Sequence, residues 1–142
     1  MLELLAKLCT LDGVSGNEEA VRDFIRTSAA PFADEVTEDA SGNLIVFKKG
    51  RRSGRRVMLA AHMDEVGFIV KRITDDGILK FGLVGGFDPK VLIGRRVRLC
   101  RTGTPGVIGI KAVHLTTEEE RKNTPKTDDL YIDIGAKNRE EA

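Results

Sequence analysis

Tryptophan is absent, and aromatic residues make up only 5% of the 142-residue chain. That scarcity argues against a surface that stacks nucleic-acid bases. No excess of one charge is present either: 23 Lys and Arg face 22 Asp and Glu, for a net charge of +1. No global field draws such a chain to nucleic acid or to an anionic membrane, and neither is expected as a partner. The only cysteines, Cys9 and Cys100, are too few and too far apart for a disulfide framework or a zinc knuckle. They are expected to be reduced thiols of a cytoplasmic protein. No apolar run approaches the length of a membrane span. The first residues, Met1-Leu2-Glu3-Leu4-Leu5-Ala6-Lys7, carry charges within the apolar run and no small-residue cleavage site, so no signal peptide is expected. Internal repeats and low-complexity segments are also lacking.

What is present centres on Val57-Met58-Leu59-Ala60-Ala61-His62-Met63-Asp64-Glu65-Val66-Gly67-Phe68. The apolar opening predicts a buried central strand over Val57 to Ala61. His62 and Asp64, two apart, then share one face at the strand's C-terminal end, where open α/β sheets place their ligand crevice. Glu65 alternates to the other face. A neutral imidazole is a good metal ligand, and a carboxylate on its second nitrogen fixes the tautomer. A lone His-x-Asp also fits an ordinary surface pair. Ionisable groups at the mouth of a buried strand are costly unless paired or coordinated.

Before that stretch, Leu2, Leu5 and Leu8 mark a short amphipathic helix. A second helix is expected from about Glu18 to Ala29, with Val21, Phe24, Ile25 and Ser28 inward and Pro31 as its stop. Ser15 and Glu18 stand at capping-box spacing, and Asn17 is an alternative cap. Ser15-Gly16-Asn17-Glu18 therefore reads as a helix start. Strands follow at Glu35 to Glu38 and, as a core strand, at Asn43 to Lys48. Gly50 to Gly54 reads as a hairpin tip. Lys48, Lys49, Arg51, Arg52, Arg55 and Arg56 crowd that tip, and the favoured reading is a solvated charge cluster.

After Gly67 the pattern is almost wholly β. Strands are expected at Phe68 to Ile73, Ile78 to Val84, Arg95 to Cys100, Gly106 to Ile110 and Leu130 to Ile134. Asp75-Asp76-Gly77 makes a tight turn between the first two. Lys90 to Ile93 is a brief strand or a turn of helix. Thr116 to Lys122 reads as one or two helical turns, with Glu118-Glu119-Glu120 favoured by the helix dipole. Lys137 to Ala142 looks like a helix beginning. Residues 1–67 thus read as part of an α/β domain and 68–142 as a β-rich, barrel-like unit.

Ala61-His62-Met63-Asp64-Glu65-Val66-Gly67 resembles the metal-binding signature of the M42 metalloaminopeptidases, which include glutamyl and deblocking aminopeptidases and the TET peptidases. Gly13-Val14-Ser15-Gly16-Asn17-Glu18, Asp39-Ala40-Ser41-Gly42-Asn43-Leu44, Gly94-Arg95-Arg96-Val97, Gly106-Val107-Ile108-Gly109 and Leu130-Tyr131-Ile132-Asp133-Ile134-Gly135 match that family in order. The resemblance implies an α/β zinc-peptidase domain interrupted by a β-rich inserted dimerisation domain, the latter spanning 68–142 here together with the start of the return. It implies a two-metal site, with zinc or cobalt as the divalent ions, that removes N-terminal residues from peptides, and assembly from dimers to dodecamers.

Carried over by position, His62 matches a metal ligand, and Asp64 matches the active-site acid that orients it. The family's remaining ligands and its general-base glutamate come from sequence after the inserted domain, so a further C-terminal segment is implied, and these 142 residues alone are expected to show no turnover. The remaining histidine, His114, falls in the β-rich unit and reads as structural. Two alternatives stay open: a non-catalytic truncated chain acting as an oligomerisation module and, far behind, a nucleic-acid binder using the basic tip.

Overall fold

The computed structural model describes residues 1–52, 54–118 and 122–142. The chain folds as two compact units, Met1–Glu65 and Val66–Ala142.

The first unit opens with helix α1, Leu2–Leu8. Helix α2, Glu19–Ala29, follows, and a 3-10 helix at Ala30–Phe32 containing Pro31 ends it. Proline cannot donate the next helical hydrogen bond. Val21 is the buried residue of α2, and Ser28, expected to face inward, is exposed. The ammonium of Lys7 lies 4.8 Å from the centre of the Phe24 ring, tying α1 to α2. Strands β1, Glu35–Glu38, and β2, Leu44–Phe47, pair antiparallel. Glu38 accepts ion pairs from two α2 side chains, Arg22 at 3.1 Å and Arg26.

Asp39 builds the β1–β2 turn. One carboxylate oxygen accepts the Ser41 and Asn43 amides, each at 2.9 Å, and the other accepts the Asn43 side-chain amide at 2.8 Å. The Asn43 side chain first, then the Asn43 amide, hold the Asp39 carboxyl below the ordinary carboxylate value.

Two expectations fail in this unit. The apolar run Leu44–Phe47 is a strand, yet Ile45, Val46 and Phe47 are exposed. A two-stranded ribbon covers neither of its own faces. Val57 to Ala61 forms no strand, and Val57, Met58 and Leu59 are 83%, 87% and 95% exposed. An apolar run signals a need for cover, but a strand exists only through its ladder partners. Among the described residues no neighbour pairs with this segment. The hairpin expected at Gly50 to Gly54 therefore has no return strand, and Ser53 lies outside the described residues.

The second unit is built on one antiparallel sheet of β3 (Gly67–Ile73), β4 (Leu79–Val84), β5 (Arg96–Arg98), β6 (Pro105–Ile110) and β7 (Leu130–Asp133). Their order is β3-β4-β7-β6-β5. The register brings Ile108 opposite Ile132 and Leu79 opposite Ile132, a row of aliphatic side chains across three strands. Phe81, Leu92 and Leu130 complete the buried cluster. Period-two alternation produces this core: Leu79 and Phe81 turn inward while Lys80, between them, donates to the Asp128 and Leu130 carbonyls at 3.2 Å. Phe68 meets the Phe81 ring edge-on at 5.0 Å between centres and stacks on Phe87 at 4.9 Å.

The turn Thr74–Ile78 needs Gly77, whose φ is 81°. A side chain there would also meet the Ala136 and Asn138 carbonyls at 2.8 and 2.9 Å, because the C-terminal residues lie against this turn. Lys90 to Ile93 resolves as a 3-10 helix, Pro89–Val91, capped by Asp88. Lys137 to Ala142 forms turns rather than the expected helix start: Asn138 accepts the Glu140 and Glu141 amides, and the Glu141 carboxylate accepts the Lys137 amide. Acceptance of the amides two and three residues on is what a helix N-cap side chain does, so Asn138 supplies the start signal although only turns follow it. In the expected helical turn at Thr116 to Lys122, Glu118 pairs with Lys122 at 3.1 Å, and Glu119, Glu120 and Arg121 lie outside the described residues.

Leu130→Ala removes a fully buried side chain and is expected to destabilise the second unit by about 2–5 kcal/mol in urea unfolding. Wild-type stability would contradict the assigned core. The depressed Asp39 carboxyl gives a pH dependence of definite sign. Its contribution is present above the unfolded-chain value and is lost as pH falls through the lower folded value. Acid titration should therefore release the Ser41 and Asn43 amides in NMR spectra, and Asp39→Ala should show them released already at neutral pH.

Candidate functional site

Backbone bonds bring the candidate residues together. The Glu65 amide donates to the Gly13 carbonyl at 2.7 Å, and the Ser15 amide donates to the Glu65 carbonyl at 3.3 Å. Val14 and Glu65 thus form a parallel bridge. Gly13 permits the close approach: a side chain there would stand 2.9 Å from the Val21 Cγ2 and 3.4 Å from the Met63 carbonyl. The bridge sets residues 13–15 beside residues 62–65 and anchors both to the buried residue of α2.

Upon this frame sits a chain of three side chains. The Ser15 hydroxyl donates to Asp64 Oδ2 at 2.5 Å. His62 Nδ1 lies 2.9 Å from Asp64 Oδ1 and 3.0 Å from the Asp64 carbonyl. An ionised carboxylate only accepts, and both oxygens facing Nδ1 are acceptors, so the ring proton resides on Nδ1. The lone pair of Nε2 then points away from Asp64. The Asp64 carboxyl is held below the ordinary value, first by the Ser15 hydroxyl and then by His62. The His62 side chain is 84% exposed and that of Asp64 40%.

His62 and Asp64 do meet, though not as neighbours along one face of a strand. They lie in a segment without regular structure and touch directly. The larger departure concerns Ser15. It does not start the helix: α2 begins at Glu19, its N-cap is Glu18 with no side-chain capping bond, and Glu18 accepts the Gly16 amide instead. A serine beside a glutamate at capping spacing concealed a partner 49 residues away. The one link the sequence offered is that Gly13–Glu18 and Ala61–Gly67 both carry motifs resembling the same family.

His114 sits exposed in a 3-10 helix of the second unit. Lys48 pairs with Asp34 at 3.6 Å and the Lys49 amide donates to that carboxylate at 2.6 Å, whereas Arg51, Arg52, Arg55 and Arg56 are exposed. Among the described residues no three His, Cys, Asp or Glu side chains are grouped to hold a metal ion. The donor set fits one histidine ligand backed by its carboxylate, not a closed site.

Residues 42–142 match the family model of the M42 glutamyl aminopeptidases. The chain belongs to that family. A putative aminopeptidase of Acetivibrio thermocellus is 43% identical over 142 residues, which are 100% of this chain and 41% of that protein. The TET aminopeptidase from the marine sediment archaeon Thaumarchaeota archaeon SCGC AB-539-E09 superposes with a TM-score of 0.91 at 39% identity, over 99% of this chain and 40% of that one. The TET1 peptidase of Pyrococcus horikoshii, which can assemble into a tetrahedron or a large octahedral shell, superposes at 0.82 with 41% identity, over 99% and 42%. The chain therefore spans about two fifths of the length of the M42 relatives it matches. No helix among the described residues is long and apolar enough to cross a membrane.

Proposed function

We propose that this chain is the N-terminal part of a metal-dependent M42 aminopeptidase, a hydrolase that removes N-terminal residues from peptides. The observation that carries the reading is the His62–Asp64 pair: Nδ1 stands 2.9 Å from a carboxylate oxygen, which in a neutral ring puts the proton on Nδ1 and leaves Nε2 to bind an ion. His62 is the metal ligand and Asp64 the active-site acid that orients it. Such carboxylate–histidine pairs raise ligand basicity and fix ring orientation. A bound pair of divalent ions, zinc or cobalt, supplies Lewis-acid polarisation of the scissile carbonyl. A catalytic zinc takes about three protein ligands, so the remaining donors and the general base come from outside the described residues. Residues 1–67 then belong to the peptidase domain, and 68–142 to an inserted dimerisation domain and the return from it.

Assembly into homo-oligomers is the second part of the proposal. Strands β3 and β5 are the two edges of the five-stranded sheet, and exposed edge strands template pairing with another chain. Ile69 and Val70 of β3 are exposed apolar side chains. The name of the Pyrococcus horikoshii relative agrees with self-assembly. In this scheme the protein works in the cytoplasm.

Zinc titration of the 142-residue chain, followed by imidazole 15N NMR, tests the ligand. The His62 Nε2 signal should shift with added zinc or cobalt while His114 stays put, and His62→Ala should abolish the response. A His62 ring that ignores zinc up to millimolar concentration would contradict the reading. The same chain with either ion should hydrolyse aminoacyl substrates no faster than His62→Ala does. Metal-dependent turnover lost in that variant would show that the described residues do complete a site.

A further inference from the structure

Ser15 has a hydroxyl that the helix does not use. The α2 N-cap is Glu18, and no side chain caps it. The Gly16 amide goes to Glu18 at 2.7 Å and the Asn17 amide to the Val14 carbonyl at 2.7 Å, so the turn after Ser15 closes without its side chain. The Ser15 amide, meanwhile, is fixed on the Glu65 carbonyl. The backbone thereby delivers the hydroxyl to Asp64 Oδ2 at 2.5 Å.

The consequence for Asp64 is geometric. With 40% of its side chain exposed, its carboxylate has water as an alternative partner and free rotation as an alternative state. One oxygen must face His62 for the pair to exist, and the second oxygen decides whether it stays there. A donor on Oδ2 leaves Oδ1 aimed at Nδ1. Without it Nδ1 keeps only the Asp64 carbonyl at 3.0 Å as a fixed acceptor, part of the ring proton moves to the other nitrogen, and Nε2 is lost as a donor atom for part of the time.

We propose that Ser15 is a positioning residue of the metal site: its hydroxyl pins the Asp64 carboxylate onto His62 Nδ1 and so keeps Nε2 free to bind the ion. This rests on the reading of His62 as a ligand, and Ser15 itself touches neither ion nor substrate. The three residues form a relay that starts on the loop before α2 and ends at the imidazole. Outer partners of this kind commonly change metal affinity about 10–100-fold when removed.

The test uses the full 142-residue chain, treated with chelator, at about pH 9, where imidazoles are neutral. Long-range 15N NMR reads which nitrogen of His62 carries the proton. The wild type should show the Nδ1–H tautomer. In Ser15→Ala the ratio of Nδ1–H to Nε2–H should fall about fivefold, the scale of one hydrogen bond. Ser15→Thr keeps the hydroxyl and should restore the ratio, whereas Ser15→Val, of the same shape as threonine, should not. The Glu65 amide reports whether the backbone bridge survives in each variant. If Ser15→Ala disrupts the fold, the Thr and Val variants decide the matter alone. Identical His62 nitrogen shifts in the Thr and Val variants, with the bridge intact, would overturn the proposal. No metal enters this measurement, so its failure leaves the ligand reading standing, while a His62 ring blind to zinc would remove that reading even if Ser15 governs the tautomer.

Discussion

The pair of backbone hydrogen bonds that joins Gly13 and Ser15 to Glu65 is the constraint on which the candidate site depends. Residues 13–15 and 62–65 are separated by a helix, a two-stranded ribbon and a segment without regular structure. This bridge fixes their backbones against one another, and the Ser15–Asp64 hydrogen bond builds on it. It works because Gly13 has no side chain to push Val21 and the Met63 carbonyl away. Once it is formed, the Ser15 hydroxyl, the Asp64 carboxylate and the His62 imidazole fall into line. The electrostatics follow the geometry: two donors on one carboxylate favour its ionised form, and an ionised carboxylate can only accept from Nδ1.

The two units are stabilised by different means. Val66–Ala142 has its own buried cluster, in which Ile108, Ile132 and Leu79 lie across three paired strands. Met1–Glu65 has one buried hydrophobic residue among those described, Val21, with apolar side chains of β2 and of residues 57–59 exposed. This chain spans about two fifths of the length of the M42 relatives it matches.

Much of the second unit was legible from alternation and turn chemistry. Asp75-Asp76-Gly77 announced its hairpin, and Leu130 to Ile134 announced β7, because local pattern and register agree there. Failures came where a local signal competed with a distant partner. Val57 to Ala61 is apolar enough for a central strand, but a strand is a pairwise object and the run has no partner among the described residues. Leu44–Phe47 is a strand with a partner in β1, and it is not core because the two-stranded ribbon covers neither of its own faces. Ser15 was legible as a motif and misread in role, since capping spacing is a property of four neighbouring residues while its hydrogen bond crosses 49. His62 and Asp64 were found by chemistry, though the strand invoked to align them is not what aligns them. Lys137 to Ala142 forms only turns, with Asn138 accepting amides two and three residues on as an N-cap would.

The most direct test of this account is a neutron crystal structure of the exchanged chain, because it locates the protons that the site depends on. The account predicts deuterium on His62 Nδ1, none on Nε2, and the Ser15 hydroxyl deuterium directed at Asp64 Oδ2. Deuterium on Nε2 of a neutral His62, or an Asp64 carboxylate turned to solvent with Ser15 bonded elsewhere, would contradict it.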